Sequence, residues 1–406
     1  VFVAHGLLFA SWTAHIPHVM QHLGLSDGSL GIALLGAPVG SVTAMLLASY
    51  LIPRLGSRRV VRIALVGYCL TGPLVGLTGS LAALFGALCI WGAFQGTLDV
   101  AMNTQAIAVE RADGSLLMSG LHGSWSIGSF AGAGIGALAV GAGLSLTPQL
   151  LILGTIALLG AGLLTSRMLP DAIGQPGPDG QPGPGERPGP GERPKTGPRA
   201  ASRWSGGMIL LGAIAFAGML CEGASADWAS VYLSGPLHAT GAVPGLGYAA
   251  FALAMVTVRL SGNRLLRRFR AARLLPVLAA VATAGFAAGL AIGRPAAAIV
   301  GFVFLGIGLA SVVPAVFSAA GRIAGLHPGT AVATVSACGW TGFVCGPPLI
   351  GHLASLASLP VALGLLPFLT AFVAIGTLLS RALRDAPQGP AAPQGPATPA
   401  GSEVMP

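Results

Sequence analysis

Residues 31–72 read GIALLGAPVGSVTAMLLASYLIPRLGSRRVVRIALVGYCLTG. Two apolar runs, near 29 to 52 and 60 to 78, flank a short turn that holds Arg54, Arg58, Arg59 and Arg62. A membrane-crossing helix needs about 20 apolar residues, and each run supplies them. The stretch therefore reads as two spans joined at one membrane surface, with its charge gathered in the turn.

The rest of the chain repeats this pattern. Of 406 residues, 53% are hydrophobic and 8% charged, against roughly 25% charged in a soluble domain. So few charges cannot cover a soluble surface, and mean hydropathy of +0.79 agrees. Further apolar runs lie near 2 to 22, 81 to 106, 118 to 142 and 148 to 168. Others follow near 206 to 233, 243 to 263, 274 to 292, 296 to 319, 330 to 353 and 359 to 381. The expectation is an all-α membrane protein of twelve transmembrane helices, arranged as two pseudo-symmetric six-helix bundles.

Two polar, proline-rich segments interrupt the apolar sequence: 170–204, with its repeated Gly-Glu-Arg-Pro, and 385–406. Neither can bury a core, so both read as disordered, a linker and a tail. The expected domains are bundles at 1–169 and 205–384. Apolar sequence from Val1 is read as a retained span rather than a cleaved signal, because no basic region precedes it and no small-residue cleavage site follows it.

The net charge of +9 would suggest nucleic acid in a soluble protein, but here it has a topological reading. With the first span entering from the cytoplasm, 19 of 21 Lys and Arg fall on cytoplasmic segments, as the positive-inside bias requires. Arg294 falls outside and Arg259 within the eighth span. Both termini are expected to be cytoplasmic, in the plasma membrane of the cell. Five cysteines all lie within apolar runs without metal-ligand spacing, and read as packing residues.

An internal repeat relates the halves at an offset of about 210 to 214 residues. Arg54-Leu-Gly56-Ser-Arg58-Arg59 recurs as Arg264-Leu-Leu-Arg-Arg, and Gly128, Gly132 and Gly136 of the fifth span recur as Gly342 and Gly346 of the eleventh. A small residue every fourth position lets a neighbouring backbone approach closely. Gly346-Pro347-Pro348 is expected to kink the eleventh span and serve as a pivot.

Ionisable groups within spans cost about 2.5–3.5 kcal/mol each on insertion scales and therefore mark candidate sites. Asp99, Glu222 and Asp227 are the carboxylates placed deep in spans. Trp91, Gln95, Asp99 and Asn103 recur every fourth residue, a single stripe on span four. That stripe suits a water-filled cavity, or alternatively a structural hydrogen-bond network. Glu222 and Asp227 stand about 140° apart on an ideal helix, so one is expected to line the cavity and the other to pair with a neighbouring helix, unless Gly223 breaks the helix. Trp12, His15 and Trp228 complete the candidate solute contacts. His15, Asp99, Glu222 and Asp227 are the candidate proton carriers, and pseudo-symmetry makes His15 the counterpart of Asp227. Histidines of span one lack converging carboxylates or thiols, so no metal is expected. No cofactor is expected either.

Several of these motifs together resemble the major facilitator superfamily, and within it the branch around the rhizopine-cluster membrane protein MosC. They are Trp12 to Pro17, Asp99-Val-Ala-Met-Asn103, Val109-Glu110-Arg111, His122 with Ser126-Ile-Gly128, Glu222-Gly-Ala with Asp227-Trp228, and Gly346-Pro-Pro-Leu-Ile-Gly351. The sequence departs from the family's loop motif Asp-Arg-x-Gly-Arg-Arg: Pro53 replaces the acid, Ser57 interrupts the basic run, and Asn263 is the uncharged counterpart in the second half. His15 stands where arginine is expected before Ile-Pro. The resemblance implies a rocker-switch transporter whose cavity is lined by spans one, four, seven and ten, with Arg54, Gly56, Arg58, Glu110, Arg111 and His122 among gating and packing positions.

The expected function is secondary transport of a small organic solute by alternating access, coupled to protons, in a monomer, with export preferred over uptake. Drug efflux by the same fold and a non-transporting receptor or scaffold are the alternatives. No nucleotide motif and no nucleophile–base pair appear, which leaves no enzyme reading.

Overall fold

A computed structural model describes residues 1–113, 117–169, 205–268, 271–323, 326 and 328–384. The proposed linker 170–204 and tail 385–406 lie outside the described residues, as do the side chains of Arg111, Asn263 and Arg264.

The described chain is helical throughout. Helix α1 consists of Phe2–Trp12, a 3-10 turn at Thr13–His15, and Ile16–His22. Pro17 sits in the first turn of the last piece, where its missing N–H breaks the regular ladder. Then come α2 (Asp27–Leu55), α3 (Ser57–Val75), α4 (Leu81–Asp113), α5 (Met118–Gly141) and α6 (Leu146–Arg167). The second half holds α7 (Gly206–Ser234), α8 (Val243–Arg268), α9 (Ala271–Ile292), α10 (Pro295–Ala320), α11 (Pro328–Leu356) and α12 (Leu359–Leu379).

Nine of these helices are long and apolar enough to cross a membrane by length and composition. The other three have identifiable reasons to fall short. α1 is broken by its 3-10 turn, α3 opens on Arg58, Arg59 and Arg62, and α11 is rich in Gly, Ser, Thr and Pro. Each nonetheless packs into the same bundle. An outward apolar surface that includes Leu46, Leu70, Ile156, Leu163 and Phe368 is exposed, as lipid contact requires.

The two halves repeat one another in their closest packing. A Cβ on Gly128 or Gly132 would collide with the backbone of Val3 or Leu7, and one on Gly342 would collide with that of Phe216, while Gly346 faces Leu220. α5 thus lies on α1 as α11 lies on α7. Likewise Gly92 meets the backbone of Ala37, and Gly306, 214 residues later, meets that of Phe251, so α4 lies on α2 as α10 lies on α8. The fold is two six-helix halves of common design. Pro347 and Pro348 lie within continuous α11.

Arginines of the α2–α3 turn organise one end of the bundle, called the basic end below. Gly56 turns the chain at φ +82°, a conformation that favours glycine. Arg58 donates to the Ser166 carbonyl at 2.6 Å and Arg62 to that of Thr165 at 3.0 Å. Cations here complement the carbonyl end of α6. Arg54 lies over the Tyr50 ring at 3.3 Å. Glu110 accepts from the backbone N–H of Leu117 at 2.6 Å and Met118 at 2.7 Å, so it caps the start of α5. At the opposite, far end the halves meet: Gly31 packs on Pro347 and Gly351, Gly245 on Ala137 and Ala14, and Ser230 Oγ donates to the Thr13 carbonyl at 2.6 Å.

Candidate functional site

Arg259 of α8 is a cation within a span, and its contacts with three other helices mark the site called the centre below. Its Nη1 donates to Ser126 Oγ on α5 at 3.1 Å and its Nε to the Ala310 carbonyl at the break in α10 at 3.3 Å. Nη2 lies 3.9 Å from Glu222 Oε2 on α7. That separation is an ion pair without a hydrogen bond, so neither charge is fully satisfied. One arginine thereby joins α5 of the first half to α7 and α10 of the second.

A barely water-sized space of about 10 Å³ lies beside this pair, walled by Trp125, Ser126, Ser129, Tyr248, Phe251 and Met255. Tyr248 Oη and Ser129 Oγ are 3.4 Å apart, a second polar link between α8 and α5. Aromatic rings extend the wall into the first half. Phe9 stacks on Trp125 at 6.4 Å and meets Tyr248 edge-on at 6.5 Å. Trp125 Nε1 donates to His5 Nδ1 at 2.6 Å, the His5 ring lies 5.5 Å from Tyr68, and Tyr68 stacks on Trp91 at 5.2 Å.

The candidate residues divide among several places. Glu222 is at the centre, half-buried. Asp227, five residues further along an unbroken α7, is half-buried and has no hydrogen bond or ion pair among the described residues. Glu222, but not Asp227, borders the small space beside Tyr248. On α4, Asn103 Nδ2 donates to the Asp99 carbonyl at 2.8 Å and its carboxylate at 3.3 Å; Gln95, Asp99 and Asn103 are half-buried, whereas Trp91 is enclosed and donates to the Tyr68 carbonyl at 3.0 Å. His15 Nε2 bonds Gln149 Oε1 on α6 at 2.8 Å, so its partner lies in its own half rather than on α7. Trp12 and Trp228 are core residues, and Trp228 Nε1 has no hydrogen-bond partner among the described residues. The His122 ring meets Phe2 edge-on at 5.6 Å.

A second cavity, of about 360 Å³, opens at the far end of the first half and is lined by His15, His18, His22, Val75, Val140 and Leu146. No cluster of three or more metal-ligating side chains occurs among the described residues.

The sequence model of the Major Facilitator Superfamily matches residues 1–325. The chain belongs to that superfamily. An uncharacterised MFS-type transporter of Yersinia pestis is 35% identical over 377 residues, covering 92% of each chain. Membrane protein MosC of Rhizobium meliloti is 30% identical over 382 residues, 94% of this chain and 87% of that one. Among solved structures the nucleoside transporter NupG superposes with a TM-score of 0.69 over 94% of this chain and 98% of its own, at 12% identity, a likeness of fold.

Within this superfamily member, the centre includes residues that sequence reasoning did not single out as site residues: Arg259, Trp125, Ser129, Tyr248 and His5. Arg259 carried a usable signal, being the cation that the charge topology could not place in a loop. The aromatic residues carried none, because a buried Trp or Tyr reads as core until its neighbours are known.

Proposed function

We propose that the chain is a secondary active transporter that moves a small organic solute across the cytoplasmic membrane by alternating access, coupled to protons. The observation that carries this reading is the Arg259–Glu222 pair, 3.9 Å apart and bridged to Ser126. A charged pair at membrane depth is costly, and a loosely satisfied one leaves donors and acceptors available for a solute or a proton. Its hydrogen bond from Arg259 to Ser126 joins the two halves, so exchanging that partner would alter how they sit against each other.

In this reading residues 1–169 and 205–384 rock as two bundles joined by 170–204. The basic end faces the cytoplasm, and the far-end crossings of α2 with α11 and α5 with α8 form the closed outer gate. Glu222, Asp227 and Asp99 carry protons, and Gln95, Asn103, Trp125 and Tyr248 face the solute. Nothing in the site calls for a cofactor.

Reconstitution tests the proposal. Purified protein in liposomes with an imposed pH gradient is offered a mixed pool of small metabolites, and accumulation is read by mass spectrometry. The expected result is gradient-dependent accumulation of one solute class, abolished by uncoupler and by Glu222→Gln. Accumulation indifferent to gradient and uncoupler would reduce the protein to a uniporter; none at all with correctly oriented protein would favour a receptor.

A further inference from the structure

His5 is enclosed, with 4% of its surface exposed, and its tautomer is dictated by one neighbour. An indole N–H can donate but never accept. Trp125 Nε1 lies 2.6 Å from His5 Nδ1, so Nδ1 must carry a lone pair, and the neutral ring holds its hydrogen on Nε2. Among the described residues Nε2 itself has no hydrogen-bond partner, and neither has the hydroxyl of adjacent Tyr68. The main chain of Gln95 lies beside the ring, where a carbonyl suits an N–H rather than a lone pair.

We propose that His5 is a positioning residue for Trp125, and that protonation of its ring releases the indole from the wall of the Arg259–Glu222 site. The inference rests on the proton-coupled reading above and names the element that senses the proton. The step is simple to balance. The ring gains one proton from the aqueous phase at Nδ1, both ring nitrogens become donors, and the Trp125 N–H then faces an N–H. The hydrogen bond is replaced by repulsion, and no other bond changes. Trp125 stacks on Phe9, which touches Tyr248, so movement of the indole changes the contact between α1 and α8 as well as the shape of the central site.

Other ionisable groups around this locus must be separated from His5 in any pH experiment. They are Tyr68 and Cys69 on α3, Asp99 on α4, His122 on α5, Glu222 and Asp227 on α7, and Tyr248 and Arg259 on α8. None of them accepts from Trp125.

The test uses the full chain in lipid nanodiscs and needs no solute, so it stands apart from the transport assay. Ring-15N histidine spectra, with His5 assigned by difference from His5→Asn, are expected to show the Nε2–H tautomer at neutral pH. Acidification should then shift the Trp125 indole signal, assigned by Trp125→Phe, with the same midpoint as the His5 ring. His5→Asn places an amide oxygen at the position of Nδ1, which accepts from Trp125 but does not titrate, so it should keep the fold and abolish the Trp125 response. An Nδ1–H tautomer, a Trp125 signal that ignores His5 protonation, or an unchanged response in His5→Asn would each overturn the proposal. Should these spectra behave as expected while liposome transport ignores the pH gradient, the proton-coupled reading would fail and His5 would be left without its role in transport.

Discussion

Gly128 presses its α-carbon against the backbone of Val3, and 214 residues later Gly342 makes the same contact with Phe216. Any side chain at position 128 must push α5 off α1, because the obstacle is main chain rather than a movable rotamer. Gly128→Leu is therefore expected to destabilise the first half by about 1–3 kcal/mol or more, as overpacking does. Gly134, on the same helix, faces open space, and Gly134→Ala should be neutral or slightly stabilising. Thermal unfolding of both variants in detergent measures the difference; equal midpoints would show that the α1–α5 crossing is not tight.

Arg259 and Glu222 predict a characteristic pattern of single and double variants. Removing one partner strands the other at membrane depth, so Arg259→Met and Glu222→Gln should each abolish transport. Arg259→Met should also lower stability by about 1–3 kcal/mol, less than for a fully enclosed pair, because the two side chains are 23% and 22% exposed. The double variant should recover part of that stability. A double-mutant cycle in thermal unfolding reads the coupling directly, and strict additivity would mean that the two charges act independently.

The architecture was legible because the bilayer imposes long apolar runs and pushes arginines to one surface, and the four-residue glycine spacing of α5 recorded its crossing with α1. The site was legible only in part. Asp99, Glu222 and Asp227 announce themselves as carboxylates in spans, but a sequence cannot say which of two acids on one helix meets a cation. That choice is made by α8, whose register brings Arg259 to Glu222 and leaves Asp227 five residues away. Glu110 likewise read as part of a motif; its role as a cap follows from the turn that places two α5 amides on one carboxylate oxygen. The pseudo-symmetric pairing of His15 with Asp227 did not anticipate Gln149, because offset arithmetic relates positions in the two halves and is silent about contacts within one.

Asp99 offers a cleaner test of proton coupling than either acid of α7. Its neighbour Asn103 donates to it from one helical turn away, a contact that an amide at 99 can keep through its oxygen. Asp99→Asn should therefore fold and insert normally, within about 0.5–1 kcal/mol of the parent. It should nevertheless impair transport or flatten its pH dependence, since the side chain can no longer exchange a proton. Initial rates across a pH series in liposomes decide the matter, and a profile superimposable on the parent would remove Asp99 from the mechanism.

The last expectation concerns the join between α1 and α6. Gln149 accepts from His15 Nε2 through its amide oxygen at 2.8 Å, so the ring is the donor, and its amide nitrogen donates to the Ser11 carbonyl at 3.0 Å. Both contacts fall at the 3-10 turn of α1, where the regular helical ladder is interrupted and main-chain groups need outside partners. Gln149→Leu preserves bulk but strands the buried His15 ring and the Ser11 carbonyl together. A cost of about 1–3 kcal/mol per unsatisfied group is expected, seen as a lower unfolding midpoint and faster amide exchange around residues 11–16. Gln149→Glu keeps an acceptor for His15 and should pin it more firmly while losing the bond to Ser11. If Gln149→Leu were as stable as the parent, the 3-10 turn would have to be held by the α1–α7 contact from Ser230 to Thr13 instead.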